Sequence, residues 1–381
     1  MKLLYLSTWD FTNEKADGVC RKMRSQLKVF EERGYQVDFV YIKDNKVIFR
    51  EDGHERAIAN VGKIRKTPAY IKMYKTLKDK HYDCVYNRYG MADTFYNRMI
   101  KKLWLNGAKI YVEVPSYPYE CEREPGILHW IMFKWDEVCR VRLKRYVEKI
   151  ITYTDYEKII GIDTIRIING IDVSGIKPIQ NMKRDEETIH LLIVTLMMKH
   201  HGYERLIEGF HRYYEAGGNR KLCCHIVGDG SERAYYEELV SKYDLTDKII
   251  FYGMKKSDEL DSFYENADFG ITAMGLYKDN IYLSSELKSR EYLAKGLPII
   301  SGCQIDIFRD KDVWFYNKFP EDASPIDVNR IVDIYDAMYQ TKTKNTIVRE
   351  IREFAENTVD MPKTMLPVLT YMEGEKAGYQ I

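Results

Sequence analysis

The feature that most constrains the fold is a pattern that runs, stops and runs again. Short apolar runs alternate with helical periodicity, as expected of α/β layers around mostly parallel sheets. In the first half the expected strands are Lys2–Ser7, Gln36–Ile42, Asp83–Tyr86, Lys109–Val114, Lys149–Tyr153 and Thr164–Ile168. Among the helices between them, Arg21–Arg33 places Met23, Leu27 and Phe30 on one stripe and stops at Gly34. From Ile171 to Thr188 the chain turns polar around Gly175, Pro178 and Asn181, the composition of an interdomain linker. Strands at His190–Thr195, Leu222–Val227, Lys248–Tyr252, Phe269–Ala273 and Leu297–Ser301 then alternate with helices at Tyr203–Tyr214, Glu232–Tyr243, Asp258–Asn266 and Glu286–Ala294. Two Rossmann-like, doubly wound units follow, with a ligand cleft expected between the C-terminal edges of their strands. The expected boundaries are 1–172 for the first unit, 173–188 for the linker and 189–344 for the second unit. Residues 345–381 are left as terminal helices, Asn345–Val359 and Met365–Met372, free to run back to the first unit.

The 381 residues suit two domains of about 150 each, and 45% hydrophobic content supplies two cores. A formal net charge of +1 predicts no partner from global electrostatics, so any basic surface is local. The opening MKLLYLSTWDF is too short an apolar run for a signal sequence and reads as a first strand. With no membrane-length apolar stretch, a cytoplasmic chain is expected. The seven cysteines form no C-x-x-C pair, and Cys223–Cys224 sit inside an expected strand. Reduced, buried thiols are expected, without disulfides or a metal site.

Several clusters carry chemistry. Gly228-Asp-Gly230 ends a strand before a helix, where glycine lets a ligand approach the backbone, although a tight strand–helix turn explains it equally. Arg233 stands where a dinucleotide fingerprint needs a third glycine, which disfavours a nicotinamide enzyme. Lys199-His-His-Gly202 opens a helix after a strand and suits a diphosphate, with a polar loop and an exposed lysine as the alternative. Zinc on the His200–His201 pair is disfavoured because no third ligand lies nearby in sequence. Ser284–Glu291 opens another helix, in which Glu291 suits a ribose diol and Lys288 a phosphate, although a solvated helix face with Lys and Glu at neighbouring positions explains the pair as well. Capping accounts for part of that segment.

Read in order, these strings resemble the retaining GT-B glycosyltransferases of glycosyltransferase family four. The strings are His201-Gly-Tyr-Glu-Arg-Leu-Ile-Glu-Gly-Phe210, His225-Ile-Val-Gly-Asp-Gly230, Ile250-Phe-Tyr-Gly253 and Leu287-Lys-Ser-Arg-Glu-Tyr-Leu-Ala-Lys-Gly-Leu-Pro298. The first half adds Asp17-Gly-Val19, Asn169-Gly-Ile-Asp172 and Glu113-Val-Pro-Ser-Tyr-Pro-Tyr-Glu120, the last similar to a bacterial subgroup that builds surface polysaccharides. The resemblance implies a hexosyltransferase using a nucleotide sugar, a UDP-sugar rather than a GDP-sugar, with a glycan or lipid-linked acceptor. It places Glu291 on the ribose, Lys199 and Lys288 at the diphosphate, and Gly253 and Met254 near the base. Gly18 would admit the first loop to the donor, while His201, Gly202, Gly228, Gly230, Glu286 and Leu287 complete the donor-binding set. The family's glutamate eight residues before the ribose-binding one is Leu283 here, with Glu286 the nearest acid.

No acidic pair stands at a metal-like position, so transfer without metal is expected. Asp310-Lys-Asp312 reads as a solvated turn before a strand at Val313–Tyr316. Glu113 and Asp17 are the candidates for orienting the acceptor, although a carboxylate ending a strand also caps backbone. Lys63–Lys80 and Trp130–Tyr146 mix basic and aromatic residues; either alone reads as a helix packed on the sheet with a solvated basic face, while the pair together suits an anionic membrane surface. Nucleic acid is not expected. A nucleotide-sugar epimerase and a non-catalytic transferase-like partner are the rival readings.

Overall fold

The computed structural model describes residues 1–12, 17–61, 67–118 and 126–374. Internal contacts divide the chain into two units, Met1–Ile168 with Thr364–Ile381, and Asn169–Lys363.

The first unit is built on β1 (Lys2–Asp10), α1 (Asp17–Glu32), β2 (Gln36–Lys43), β3 (Lys46–Glu51), β4 (His54–Asn60), α2 (Thr67–Leu77) and β5 (Cys84–Arg88). It continues through α3 (Thr94–Leu105), β6 (Lys109–Val114), α4 (Ile127–Arg140), β7 (Val147–Thr152), β8 (Lys158–Ile159) and β9 (Ile162–Arg166). Nine strands form one sheet in the order β4-β3-β2-β1-β5-β6-β7-β9-β8. The inner six are parallel, while β3, β4 and β8 add antiparallel edges. The β3–β4 hairpin is absent from the sequence expectation. Turns through Asp44 and Asn45, both at positive φ, join β2 to β3 and make the meander.

Where it is described, Lys63–Lys80 takes the packed-helix alternative. Helix α2 buries Ala69, Tyr70, Met73 and Leu77 in the core beside Tyr96 and Val85, so its apolar face is spent on packing. Lys63, Arg65 and Lys66 lie outside the described residues. Helix α4 behaves oppositely. Phe133 packs on the core, but Ile127, Trp130, Ile131, Trp135 and Val138 keep between 47% and 80% of their surface exposed.

The second unit comprises β10 (Thr188–Leu196), α5 (Glu204–Glu215), β11 (Lys221–Asp229), α6 (Arg233–Lys242), β12 (Ile249–Gly253), α7 (Ser257–Asn266) and β13 (Phe269–Ile271). After these come β14 (Leu283–Ser284), α8 (Leu287–Lys295), β15 (Ile299–Ser301), β16 (Gln304–Ile305), β17 (Tyr316–Lys318), α9 (Val328–Thr341), α10 (Lys344–Thr358) and α11 (Met361–Glu373). Six parallel strands run β12-β11-β10-β13-β15-β17, and β14 pairs with β16 apart from them. Leu191, Leu192 and Ile193 are all fully buried, as in a strand covered on both faces.

The expected linker is not a free tether. Ile179 is buried, the Glu265 carboxylate accepts from the backbone of Gln180 and Asn181, and Arg352 donates to the carbonyls of Val173 and Ile176. Strand β17 starts three residues after the expected Val313, and Asp310–Asp312 is exposed, as a solvated turn should be. From Thr364 onward α11 belongs to the first unit: Glu373 accepts from Arg33, Tyr371 donates to Glu148, and Met365 is buried beside Gln26.

Candidate functional site

In the second unit the chain leaves β10 at Leu196, makes one turn of 3-10 helix at Lys199–His201, and passes Gly202 into α5. Lys288, on the first turn of α8, reaches the end of β10. Its Nζ lies 3.1 Å from Oγ1 of Thr195, 3.3 Å from the hydroxyl of Tyr203 and 3.3 Å from a carboxylate oxygen of Glu286. Only 15% of the Lys288 side chain is exposed, so its charge is weakly screened and Glu286 is its compensating anion. The backbone N–H of Ala273 also points to Glu286, at 3.5 Å.

His201 sits beside this cation. Burial, then Lys288 and His200, press its pKa down to about 2, so the imidazole is neutral. Its Nδ1 accepts from the N–H of Met198 at 3.2 Å, which puts the ring proton on Nε2. The arrangement offers an ammonium, a neutral N–H donor and the backbone of a helix start, the groups that stabilise a departing phosphate oxygen.

Two glycine backbones fix this corner. Gly202 has φ +65°, and a Cβ there would lie 2.5 Å from Cα of Gly275. We expect Gly202→Ala to cost about 2–3 kcal/mol, the sum of left-handed strain and overpacking. An unchanged urea midpoint would contradict the contact. Gly228 and Gly230 have a similar cause: Cβ atoms there would sit 1.8 Å from the carbonyl oxygen of Thr195 and 2.1 Å from that of Met197. Their first role is therefore close passage of the turn after β11 along β10.

Two buried arginines hold the surrounding loops. Arg205 donates to the carbonyls of Met274, Ser324 and Pro320, tying down the segment after β13. Arg290 pairs with Asp306 and donates to the carbonyls of Asn169 and Glu286, which anchors the start of α8. Asp306 also accepts from Ser285, and the carbonyl of Ser285 accepts from Asn169.

The remaining expected donor residues are distributed around these. Leu287 opens α8 after Glu286, whose side chain makes no capping bond, and Glu291 lies mid-helix, half-buried. Lys199 is exposed, and its carbonyl accepts from Lys278, which also pairs with Glu204. Gly253 ends β12 at φ +69°, followed by Met254 with 70% of its surface exposed. Leu283, in place of the family's glutamate, pairs with Gln304 in the small sheet. The sequence reading missed Thr195, Tyr203, Arg205, Lys278 and Arg290. Tyr203 and Arg205 stand in the quoted string that opens α5, but their partners lie 69 to 119 residues away.

In the first unit, Gly18 is half-buried at the start of α1, and the Asp17 side chain lies outside the described residues, as do Tyr119 and Glu120. Glu113, one residue before the end of β6, has no exposed surface. One carboxylate oxygen accepts from Tyr86 at 2.6 Å and Gln26 at 2.8 Å; the other accepts from Tyr153 at 2.9 Å and Arg88, with Lys22 at 3.7 Å. Burial alone would raise its pKa, but Arg88, Lys22 and these donors outweigh it and hold the carboxyl down at about 2. A carboxylate so enclosed and so acidic orders its neighbours and is unsuited to accepting a proton from an acceptor hydroxyl. That departs from its expected acceptor-orienting role.

Residues 177–276 match the family described as glycosyl transferases group 1. No curated protein sequence matches the chain. Among solved structures, sucrose-phosphate synthase from Thermosynechococcus elongatus aligns over 98% of both chains, at 14% identity and a TM-score of 0.68. WaaG, a glycosyltransferase involved in lipopolysaccharide biosynthesis, aligns over 99% of this chain and 100% of its own, at 14% identity and a TM-score of 0.62. HepE of Anabaena in complex with UDP-glucose aligns over 98% of this chain and 100% of its own, at 12% identity and a TM-score of 0.56. With two Rossmann-like units and these full-length structural matches, the chain has the GT-B glycosyltransferase fold.

Proposed function

We propose that the protein transfers a hexose from a UDP-sugar to a glycan or lipid-linked acceptor, retaining anomeric configuration and using no metal. The observation that carries this reading is the half-hidden Lys288, caged by Thr195, Tyr203 and Glu286 at the end of β10. Lys288 meets the diphosphate and His201 donates from Nε2 to the same group, so positive charge and N–H dipoles stabilise the leaving group. Glu291 takes the ribose. The match over 177–276 covers this strand end and the Lys199–Gly202 turn, and the fold is shared with HepE in complex with UDP-glucose. Calorimetric titration of UDP- and GDP-sugars, then turnover with and without EDTA, tests it. Absence of binding by every nucleotide sugar would overturn the reading, and loss of activity in EDTA restored by Mg²⁺ would overturn the metal-free step.

Leu283 favours one second reading, a transferase-like partner that binds donor without turnover. Tight nucleotide-sugar binding with no product in the presence of acceptor extracts would select it.

We place the reaction in surface-polysaccharide assembly at the inner face of the cell membrane. WaaG's role in lipopolysaccharide biosynthesis and the solvent-facing stripe of α4 support this, with Arg142, Lys144 and Arg145 immediately following. No described helix is long and apolar enough to cross a membrane, so contact would be peripheral. Flotation with phosphatidylglycerol vesicles should carry the wild-type chain at low salt, and Trp130→Ser with Trp135→Ser should reduce the floated fraction about tenfold. Equal flotation of both proteins would remove α4 from the contact.

A further inference from the structure

The sheet of the second unit carries a group of metal-type ligands that the donor site does not use. Strands β10 and β11 pair in parallel with His190 directly beside Cys223. His225 follows Cys223 by two residues, so all three side chains share one face of the sheet. One ligand atom from each lies within 4.8 Å of the others, and all three residues are half-buried. The nearest pair is Nδ1 of His190 and Nε2 of His225, 3.0 Å apart. Tetrahedral zinc with two nitrogens and one sulfur sets ligand atoms about 3.3–3.6 Å apart, so small side-chain shifts reach that geometry.

The outer partners are also present. Nε2 of His190 lies 3.2 Å from the carboxylate of Asp185, and Nδ1 of His225 lies 2.9 Å from the hydroxyl of Tyr252 on β12. Ligating histidines characteristically donate their second ring nitrogen to such a group, which fixes the tautomer and the ring orientation. With Asp185 accepting from Nε2, His190 presents the Nδ1 lone pair inward. Among the described cysteines Cys223 alone is not fully buried, which leaves its sulfur approachable.

We propose that His190, Cys223 and His225 form a site for a zinc-type divalent cation, with Asp185 and Tyr252 as outer partners and the fourth position open to water. On binding, the Cys223 thiol releases its proton to solvent, and the His225 proton resides on Nδ1, where the Tyr252 oxygen accepts it. The metal pins β10 to β11 near the strand starts. Thr195 lies five residues further along β10, about 16 Å away, so this site is distinct from the Lys288 cage and does not depend on its function. The sequence gives no sign of this trio because the two histidines lie 35 residues apart and meet only through strand register.

Cobalt chloride titrated into the metal-stripped full chain tests the proposal. A near-ultraviolet thiolate-to-cobalt charge-transfer band should saturate at one Co²⁺ per chain and vanish on adding one equivalent of Zn²⁺. Cys223→Ser and His225→Gln should abolish it, while Cys121→Ser and His211→Gln should retain it. Zinc at about 100 times its Kd should raise Tm by about 5–10 °C in the wild type and not in Cys223→Ser. No band in the wild type, or a band that survives Cys223→Ser, overturns the site. Circular dichroism of each metal-free variant establishes that it is folded. If neither ligand variant folds, the Cys121→Ser chain decides: one equivalent with the band supports the site, and its absence overturns it.

Discussion

Replacing Lys288 with alanine is expected to reduce kcat/KM for the nucleotide sugar by about 10²–10³, with most of the loss in kcat. On the proposed reading the ammonium faces the leaving diphosphate, and 15% of its side chain is exposed. Its truncation leaves Glu286 as an uncompensated anion in the same pocket, so the variant both loses attraction and gains repulsion. Lys288→Arg should rescue poorly, because Thr195 and Tyr203 enclose a compact cation at 3.1 and 3.3 Å. Steady-state kinetics of the three proteins with one UDP-sugar checks this. A Lys288→Ala enzyme within threefold of wild type would move the phosphate site elsewhere.

Glu113→Gln should act mainly on stability. The amide leaves Lys22 and Arg88 buried without their common anion, and removing one partner of a buried ion pair costs about 3–5 kcal/mol. Its acid response follows from the same contacts. Against an ordinary value of 4.5, the folded carboxyl at about 2 contributes about 3 kcal/mol. That stability is fully present above pH 4.5 and is lost as pH falls toward 2. Urea unfolding at pH 7 and pH 3 should therefore show a larger gap between wild type and Glu113→Gln at pH 7. Wild-type stability with abolished turnover would instead return Glu113 to the chemistry.

Much of the fold is legible because the central parallel strands are buried on both faces. Leu191–Ile193 and Ile110–Val114 read as strands from side chains alone, since their neighbours in space matter little to that reading. The β3–β4 hairpin was not legible. His54–Asn60 is largely exposed and polar, so pairing with β3 rather than burial makes it a strand. At the candidate site, Lys288 and Glu291 stand in one helix, so the single string that carries the resemblance names both. Thr195, Arg205 and Arg290 do not, because each acts through a partner on a distant segment. Glu113 shows the converse: a strand-end carboxylate suggested a place beside the acceptor, and four donors plus a lysine from three other segments enclose it.

The membership of α11 in the first unit has a consequence for biosynthesis. Residues 169–363 are threaded between two pieces of that unit, so the ribosome delivers the whole second unit before the helix that covers Gln26 and pairs with Arg33. During translation the second unit is free to fold as a continuous segment while the first waits with an unfilled face. A stalled or proteolysed chain ending near residue 363 would thus present a finished second unit attached to a first unit whose apolar face lacks its covering helix.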